Sequence, residues 1–131
     1  MLEHHVGLLS VALAGIINLW LSYRCGMARR AVSVPHGDGG DIVLQRRMRA
    51  QANFTEYTPI ALLMILALDY SEQSPWLLGL TALIFLVGRA SHAFGMDADT
   101  PGPARMFGML ATLLPYAIWI VWLLLVVFRA V

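Results

Sequence analysis

Arg46, Arg49, Asn53 and Glu56 follow one another at steps of three, four and three, which stacks them on one face of a helix. Tyr57 lies four residues beyond Asn53 and flanks the same stripe. Guanidinium groups only donate, an amide donates and accepts, and a carboxylate accepts. Such a row suits a small zwitterionic peptide with two carboxylates and an amine. The stripe runs straight into the apolar stretch Ile60 to Leu68, and charges entering a membrane-length segment are costly unless something polar answers them. Further cations recur along the chain: Arg89, three residues before His92, then Arg105, with Arg29 and Arg30 upstream. One acid, Glu56, does not balance several arginines, so the surplus implies access to water or an anionic ligand. A plainer reading exists for each residue. Arg49 and Glu56 could pair between helices, Arg89 could snorkel to headgroups, and His92 could be a hydrogen-bonded helix-end histidine.

Other chemistries lack their signatures. His92 has no second ligand at a helical spacing, so no metal is expected. Cys25 is the only cysteine, which excludes an intrachain disulfide, and nothing beside it marks an activated thiol. No phosphate loop, Cys/His cluster or Ser-centred triad is present. The formal net charge of +1 gives no reason to expect a nucleic-acid partner.

The elements that must position the stripe are helices in a bilayer. The 131 residues are 59% hydrophobic and 13% charged, against about 45–50% and about 25% in soluble domains. This predicts one all-α domain over 1–131, an integral membrane four-helix bundle. The first span covers Val6 to about Tyr23 and continues through Arg24 to Arg30, with Gly7 and Gly15 offering close approach. Glu3, His4 and His5 precede it instead of a basic n-region, so it reads as a retained helix and not a signal peptide. Val34 to Asp41 is a Pro/Gly loop, Asp41 a helix N-cap, and Pro59 a kink within the second helix. A polar turn near Asp69 to Ser74 leads to Pro75, the first residue of the third helix. After an acidic loop, Asp97 to Pro103, either Thr100-Pro101 or Gly102-Pro103 opens the fourth helix, which runs from about Ala104 through Phe128, with Pro115 as a second kink. Short loops predict antiparallel neighbours. The arginines flank the first and third connections and avoid the second, so the positive-inside rule puts those loops in the cytoplasm and both termini opposite.

At these residues the chain resembles the family of membrane-associated proteins in eicosanoid and glutathione metabolism, MAPEG, along nearly its whole length. Arg49 to Pro59 is similar to the family signature R-A-Q-x-N-x-x-E-Y-x-P on the second helix. Ala28-Arg29-Arg30-Ala31 resembles the run closing helix one, Arg89-Ala90-Ser91-His92 the third-helix pattern, and Arg105 stands at the family's catalytic arginine. The resemblance implies a homotrimer in a bacterial inner membrane, with glutathione as co-substrate between subunits on the cytoplasmic side. It implies glutathione contacts from Arg49, Gln51, Asn53, Glu56, Tyr57, Arg89 and His92, with Arg30 reaching in from a neighbour. Arg105 would stabilise the thiolate for transferase or peroxidase chemistry on a hydrophobic electrophile or lipid hydroperoxide. Met96 stands where eicosanoid-forming members carry Tyr, a departure that speaks against eicosanoid specificity, and the short Asp97–Pro103 loop is closer to the bacterial branch. Two other readings of the residues stay open: a small proton-coupled exporter using Glu56, and a non-catalytic membrane scaffold.

Overall fold

A computed structural model describes residues 5–129 and contains four helices: α1 (His5–Val32), α2 (Ile42–Tyr70), α3 (Pro75–Gly95) and α4 (Pro103–Val127). No strand occurs among the described residues. Glu3 and His4, which carry part of the argument against a signal peptide, lie outside them.

Local chemistry sets the helix ends. Arg29 and Arg30 occupy the last turn of α1, where cations complement the negative end of the helix dipole. The chain then breaks at Ser33, which takes a left-handed φ of 55°. Asp41 caps α2 by accepting the Leu44 N–H at 2.7 Å, satisfying one of the donors that a helix start leaves free. Pro75 and Pro103 each open a helix, where a missing N–H costs nothing. Both α2 and α4 continue through an internal proline, Pro59 and Pro115.

Helices α1, α3 and α4 are long and apolar enough to cross a membrane. Four spans were expected; α2, at 29 residues, has the length without the composition. Arg46, Arg47, Arg49 and Glu56 load its first half with charge, and its second half is the apolar one. The surface is correspondingly rich in large apolar side chains, among them Leu8, Ile16, Leu19, Leu63, Leu114 and Val121, as suits a chain whose surroundings are not water.

Packing is closest between α3 and α4, and glycine makes it so. A Cβ placed on Gly108 of α4 would lie 2.6 Å from Cβ and 2.7 Å from Cα of His92 on α3. On Gly88 a Cβ would overlap Ala111, and on Gly95 it would overlap the backbone of Arg105. Farther along the same pair, Phe85 and Trp119 meet edge to face at 5.5 Å, and the Trp119 indole donates to Thr81 Oγ1 at 2.9 Å. Helix α1 lies along α2. The Gly7 N–H, in the first turn of α1, donates to Asp69 Oδ2 at 2.8 Å. Near the other end of α1, Ser22 Oγ accepts from Gln51 Nε2 at 2.8 Å, and the Arg24 carbonyl from Arg47 at 3.2 Å. Gly7 thus makes the close approach expected of it, while among the described residues nothing comes within 4 Å of a Cβ at Gly15.

Candidate functional site

Where the polar half of α2 faces the cytoplasm-predicted ends of α3 and α4, the chain leaves a cleft of about 160 Å³. Arg49, Asn53 and Tyr57 line it from α2 at helical steps of four. Arg89 and His92 line it from α3, and Arg105 from the first turn of α4. Six residues singled out in the sequence therefore share one cavity, although they come from three helices.

Arg89 is the centre of the arrangement. It is 3% exposed, and it donates from Nη1 to Asn53 Oδ1 at 2.6 Å and from Nη2 to the Gly108 carbonyl at 3.1 Å. Its guanidinium sits 5.8 Å from the Tyr57 ring centre and 5.9 Å from that of Phe85. One side chain thus ties α2, α3 and α4 together through neutral acceptors and ring faces. The headgroup-snorkelling alternative does not hold, because the group is buried and points between helices. Because Arg has no acceptor, the Asn53 amide must turn its oxygen toward Arg89, which leaves the amide NH₂ for the cleft. His92 is buried as well, held against Gly108 by the α3–α4 approach.

The charge balance is distinctive. Among the described residues, neither Arg89 nor Arg105 has a carboxylate within 4 Å. Arg49 does, from Glu56 at 3.5 Å, with both side chains more than half exposed. That pair lies within α2, one heptad apart, not between helices. It leaves Glu56 at the exposed rim, outside the cleft lining.

Three expectations change here. Arg46 shares the stripe by spacing, yet its side chain turns to the α3–α4 loop, donating to the Asp97 carbonyl at 3.0 Å and to Asp99 Oδ1 at 2.8 Å. Glu56 is accordingly not the only acid answering the arginines; Asp97 and Asp99 answer Arg24 and Arg46. Gln51 does not reach this cleft but binds Ser22 on α1; Arg30, expected from a neighbouring subunit, is exposed at the end of α1. Met96 does line the cleft, with Met109, Thr112 and Leu113 of α4. The last three escaped sequence reasoning, though they sit four, seven and eight residues after Arg105 and so continue its helical face. Thr112 is buried and donates to the Gly108 carbonyl at 2.7 Å, the same oxygen that Arg89 reaches.

The cleft thus has a cationic, donor-rich wall and an apolar, thioether-lined wall. It can hold an anion bearing several acceptors and present it to an apolar reactant. Over 90 residues the chain is 29% identical to the inner membrane protein YecN of Escherichia coli K12, covering 69% of each chain. It matches YecN of Escherichia coli O6:H1 strain CFT073 over the same length at the same identity. No solved structure matches it. The sequence profile of the MAPEG family matches residues 7–125, from the first turn of α1 to the last turn of α4, and the chain belongs to that family.

Proposed function

We propose that the protein is a glutathione-dependent membrane enzyme, a single-domain antiparallel bundle in which α2 also crosses the bilayer. It assembles as a homotrimer in a bacterial inner membrane, with the cleft toward the cytoplasm and both termini opposite. The observation that carries this reading is the convergence of Arg49, Arg89 and Arg105 on one cleft where the last two lack a carboxylate partner. Arg89 is buried and Arg105 half-buried; a buried cation without a counter-ion is costly, and a tripeptide with two carboxylates supplies a counter-charge to each. Asn53, with its NH₂ turned to the cleft, adds a directional donor.

Arg105 stands in the first turn of α4, beside the positive end of the helix dipole. Both favour a sulfur anion, so the thiol of bound glutathione gives up its proton to solvent and becomes the nucleophile. In a transferase reaction the thiolate carbon–sulfur bond forms as a leaving group departs or a double bond is saturated. In a peroxidase reaction the thiolate attacks the distal oxygen of a hydroperoxide, giving a sulfenic acid and an alcohol, and a second glutathione reduces that acid to the disulfide. Met96, Met109 and Leu113 offer the apolar wall against which either second substrate lies.

The cleft volume supports assembly. Small-molecule sites commonly measure about 300–1,000 Å³, so 160 Å³ within one protomer is part of a site. Arg30 is exposed at the end of α1 and Gln51 packs against Ser22 of α1, so both would reach this cleft only from a neighbouring protomer. The pairing of Glu56 with Arg49 weighs against Glu56 as the proton carrier of an exporter. Isothermal titration of the protein in nanodiscs with glutathione, and with analogues lacking one carboxylate, tests the reading. Saturable binding that each analogue loses by at least about tenfold, the worth of one charge-assisted hydrogen bond, is expected. Absence of saturable binding refutes it and leaves a scaffold.

A further inference from the structure

Arg24, Arg46, Asp97 and Asp99 lie outside the cleft lining, yet they form the densest ionic cluster in the described residues. Arg24, near the end of α1, pairs with Asp97 and donates to the Ala93 carbonyl at 3.3 Å. Its guanidinium rests 4.8 Å from the Trp20 ring centre and 5.7 Å from that of Phe94, so rings on α1 and α3 hold it in place before it meets the loop. Arg46, from the second turn of α2, holds the Asp97 carbonyl and the Asp99 carboxylate. The segment so gripped leads from α3 into the first turn of α4, which carries Arg105.

We propose that this cluster is a latch that positions Arg105, with Arg24, Arg46 and Asp97 as its positioning residues and Asp99 as an outer strand of it. The proposal rests on the reading of Arg105 as the thiolate-stabilising group. Its physical basis is repulsion. Arg49, Arg89 and Arg105 line one cleft of about 160 Å³, with Arg89 buried and Arg105 half-buried, and like charges brought together there repel by Coulomb's law. Arg105 stands in the first turn of α4, directly after an exposed loop, so its position depends on how that loop is held. Two contacts inside the α3–α4 pair resist the push: Gly95 against the Arg105 backbone and Ser91 Oγ donating to the Ala104 carbonyl at 2.9 Å. The latch adds a restraint from the opposite wall, because Arg46 is one turn before Arg49 on α2. It therefore links the two sides of the cleft mouth, at Arg49 and at Arg105, to each other.

The two ion pairs differ in weight. The Asp99 side chain is 92% exposed, and pairs of that kind contribute little. The Arg24 side chain is 11% exposed and that of Asp97 38%, so Arg24–Asp97 carries the latch and Arg46 secures the backbone beside it.

Full-length protein in nanodiscs tests this with Asp97→Ala, Arg24→Ala and Arg24→Lys, and with Glu72→Gln at the α2–α3 turn as a charge-removal control. Two measurements are made on each: hydrogen exchange of the segment 97–108, and the ultraviolet thiolate band of bound glutathione. In Asp97→Ala and Arg24→Ala, exchange rises in 97–108 but not in the first half of α1, and the thiolate fraction falls by about two- to fivefold, the range of a partly screened ion pair. The affinity for glutathione changes less than the thiolate fraction. Arg24→Lys, which keeps the charge, restores at least half of the thiolate signal, and Glu72→Gln matches the parent. Unchanged exchange in 97–108 in both alanine variants overturns the latch. Raised exchange with an unchanged thiolate fraction overturns its role toward Arg105. If the parent protein binds no glutathione, the functional reading fails, while the exchange data still judge the latch.

Discussion

Gly108→Ala places the sharpest demand on the geometry described here. The added methyl would stand 2.6 Å from His92 Cβ and 2.7 Å from its Cα and N. These are main-chain and first side-chain atoms, with no flexible end to swing aside. Carbon atoms rest at about 3.5–4.0 Å, so α3 and α4 must part by roughly 1 Å at the floor of the cleft. Overpacking of this kind costs about 1–3 kcal/mol. Displacing Gly108 also lengthens the hydrogen bond its carbonyl accepts from Arg89, now 3.1 Å, and bonds to charged groups are worth about 1.5–3 kcal/mol. Part of that bond survives if the helices slide, so the sum is about 2–4 kcal/mol. The chain supplies its own reporter, since Cys25 is the only cysteine and is buried. A thiol-reactive fluorogenic dye therefore reads unfolding, and the midpoint should fall by roughly 5–15 °C. Gly26→Ala is the matched control. A Cβ there meets nothing within 4 Å, so the gain in helix propensity leaves it equal to the parent or more stable by up to about 1 kcal/mol. A Gly108→Ala midpoint within about 1 °C of the parent would refute the close α3–α4 approach and the cleft floor built on it.

Two further outcomes test the cleft itself. Arg105→Ala should abolish the ultraviolet thiolate band of bound glutathione while the affinity measured calorimetrically falls less than about tenfold, since Arg49, Asn53 and Arg89 still hold the peptide; a persistent thiolate band would remove Arg105 from the mechanism. Asn53→Asp keeps an acceptor for Arg89 but loses the NH₂ donor and adds a negative charge, so glutathione affinity should fall by about ten- to a hundredfold with the dye-measured midpoint unchanged or raised; unchanged affinity would mean that the amide does not face the ligand.

Much of this architecture was legible in the order of residues, for local reasons. Asp41 and Pro75 mark helix starts because capping and the missing proline N–H act within a single turn, and of the two prolines that could open the fourth helix the structure uses Pro103. The face carrying Arg49, Asn53 and Tyr57 was legible because helical periodicity is also local. What was not legible depends on partners far away in sequence. Arg46 belongs to the stripe by angle, but its acceptors, the Asp97 carbonyl and the Asp99 carboxylate, lie 51 and 53 residues on, in a loop whose direction no local rule gives. Gln51 stands two residues from Arg49, on another face, and its partner Ser22 lies on α1. The glycines of α3 and α4 could equally have been lipid-facing. Only the meeting of Gly108 with His92, and of Gly88 with Ala111, shows them to be the reason the cleft closes on its α3–α4 side.

The arginines sort by what answers them, and the sorting carries the functional argument further than their number does. Arg24, Arg46 and Arg49 have carboxylates. Arg29 and Arg47 donate to carbonyls near the α1–α2 connection, within reach of solvent. Arg89 alone is both deeply buried and answered only by dipoles, an amide and a carbonyl. Dipoles satisfy its hydrogens without cancelling its charge, so the desolvation cost of several kcal/mol per buried ion is only partly offset. A fold gains nothing in stability from such a residue over a well-packed apolar one of similar size. Its cost is recovered when an anion enters the cleft beside it, because the same low-dielectric surroundings that penalise a lone cation strengthen its attraction to a counter-ion. With Arg105 likewise free of acids on the facing wall, the cleft is set up to bind negative charge at two points. A neutral apolar occupant would leave both guanidinium groups unanswered, and that cost is the argument for the anionic ligand we propose.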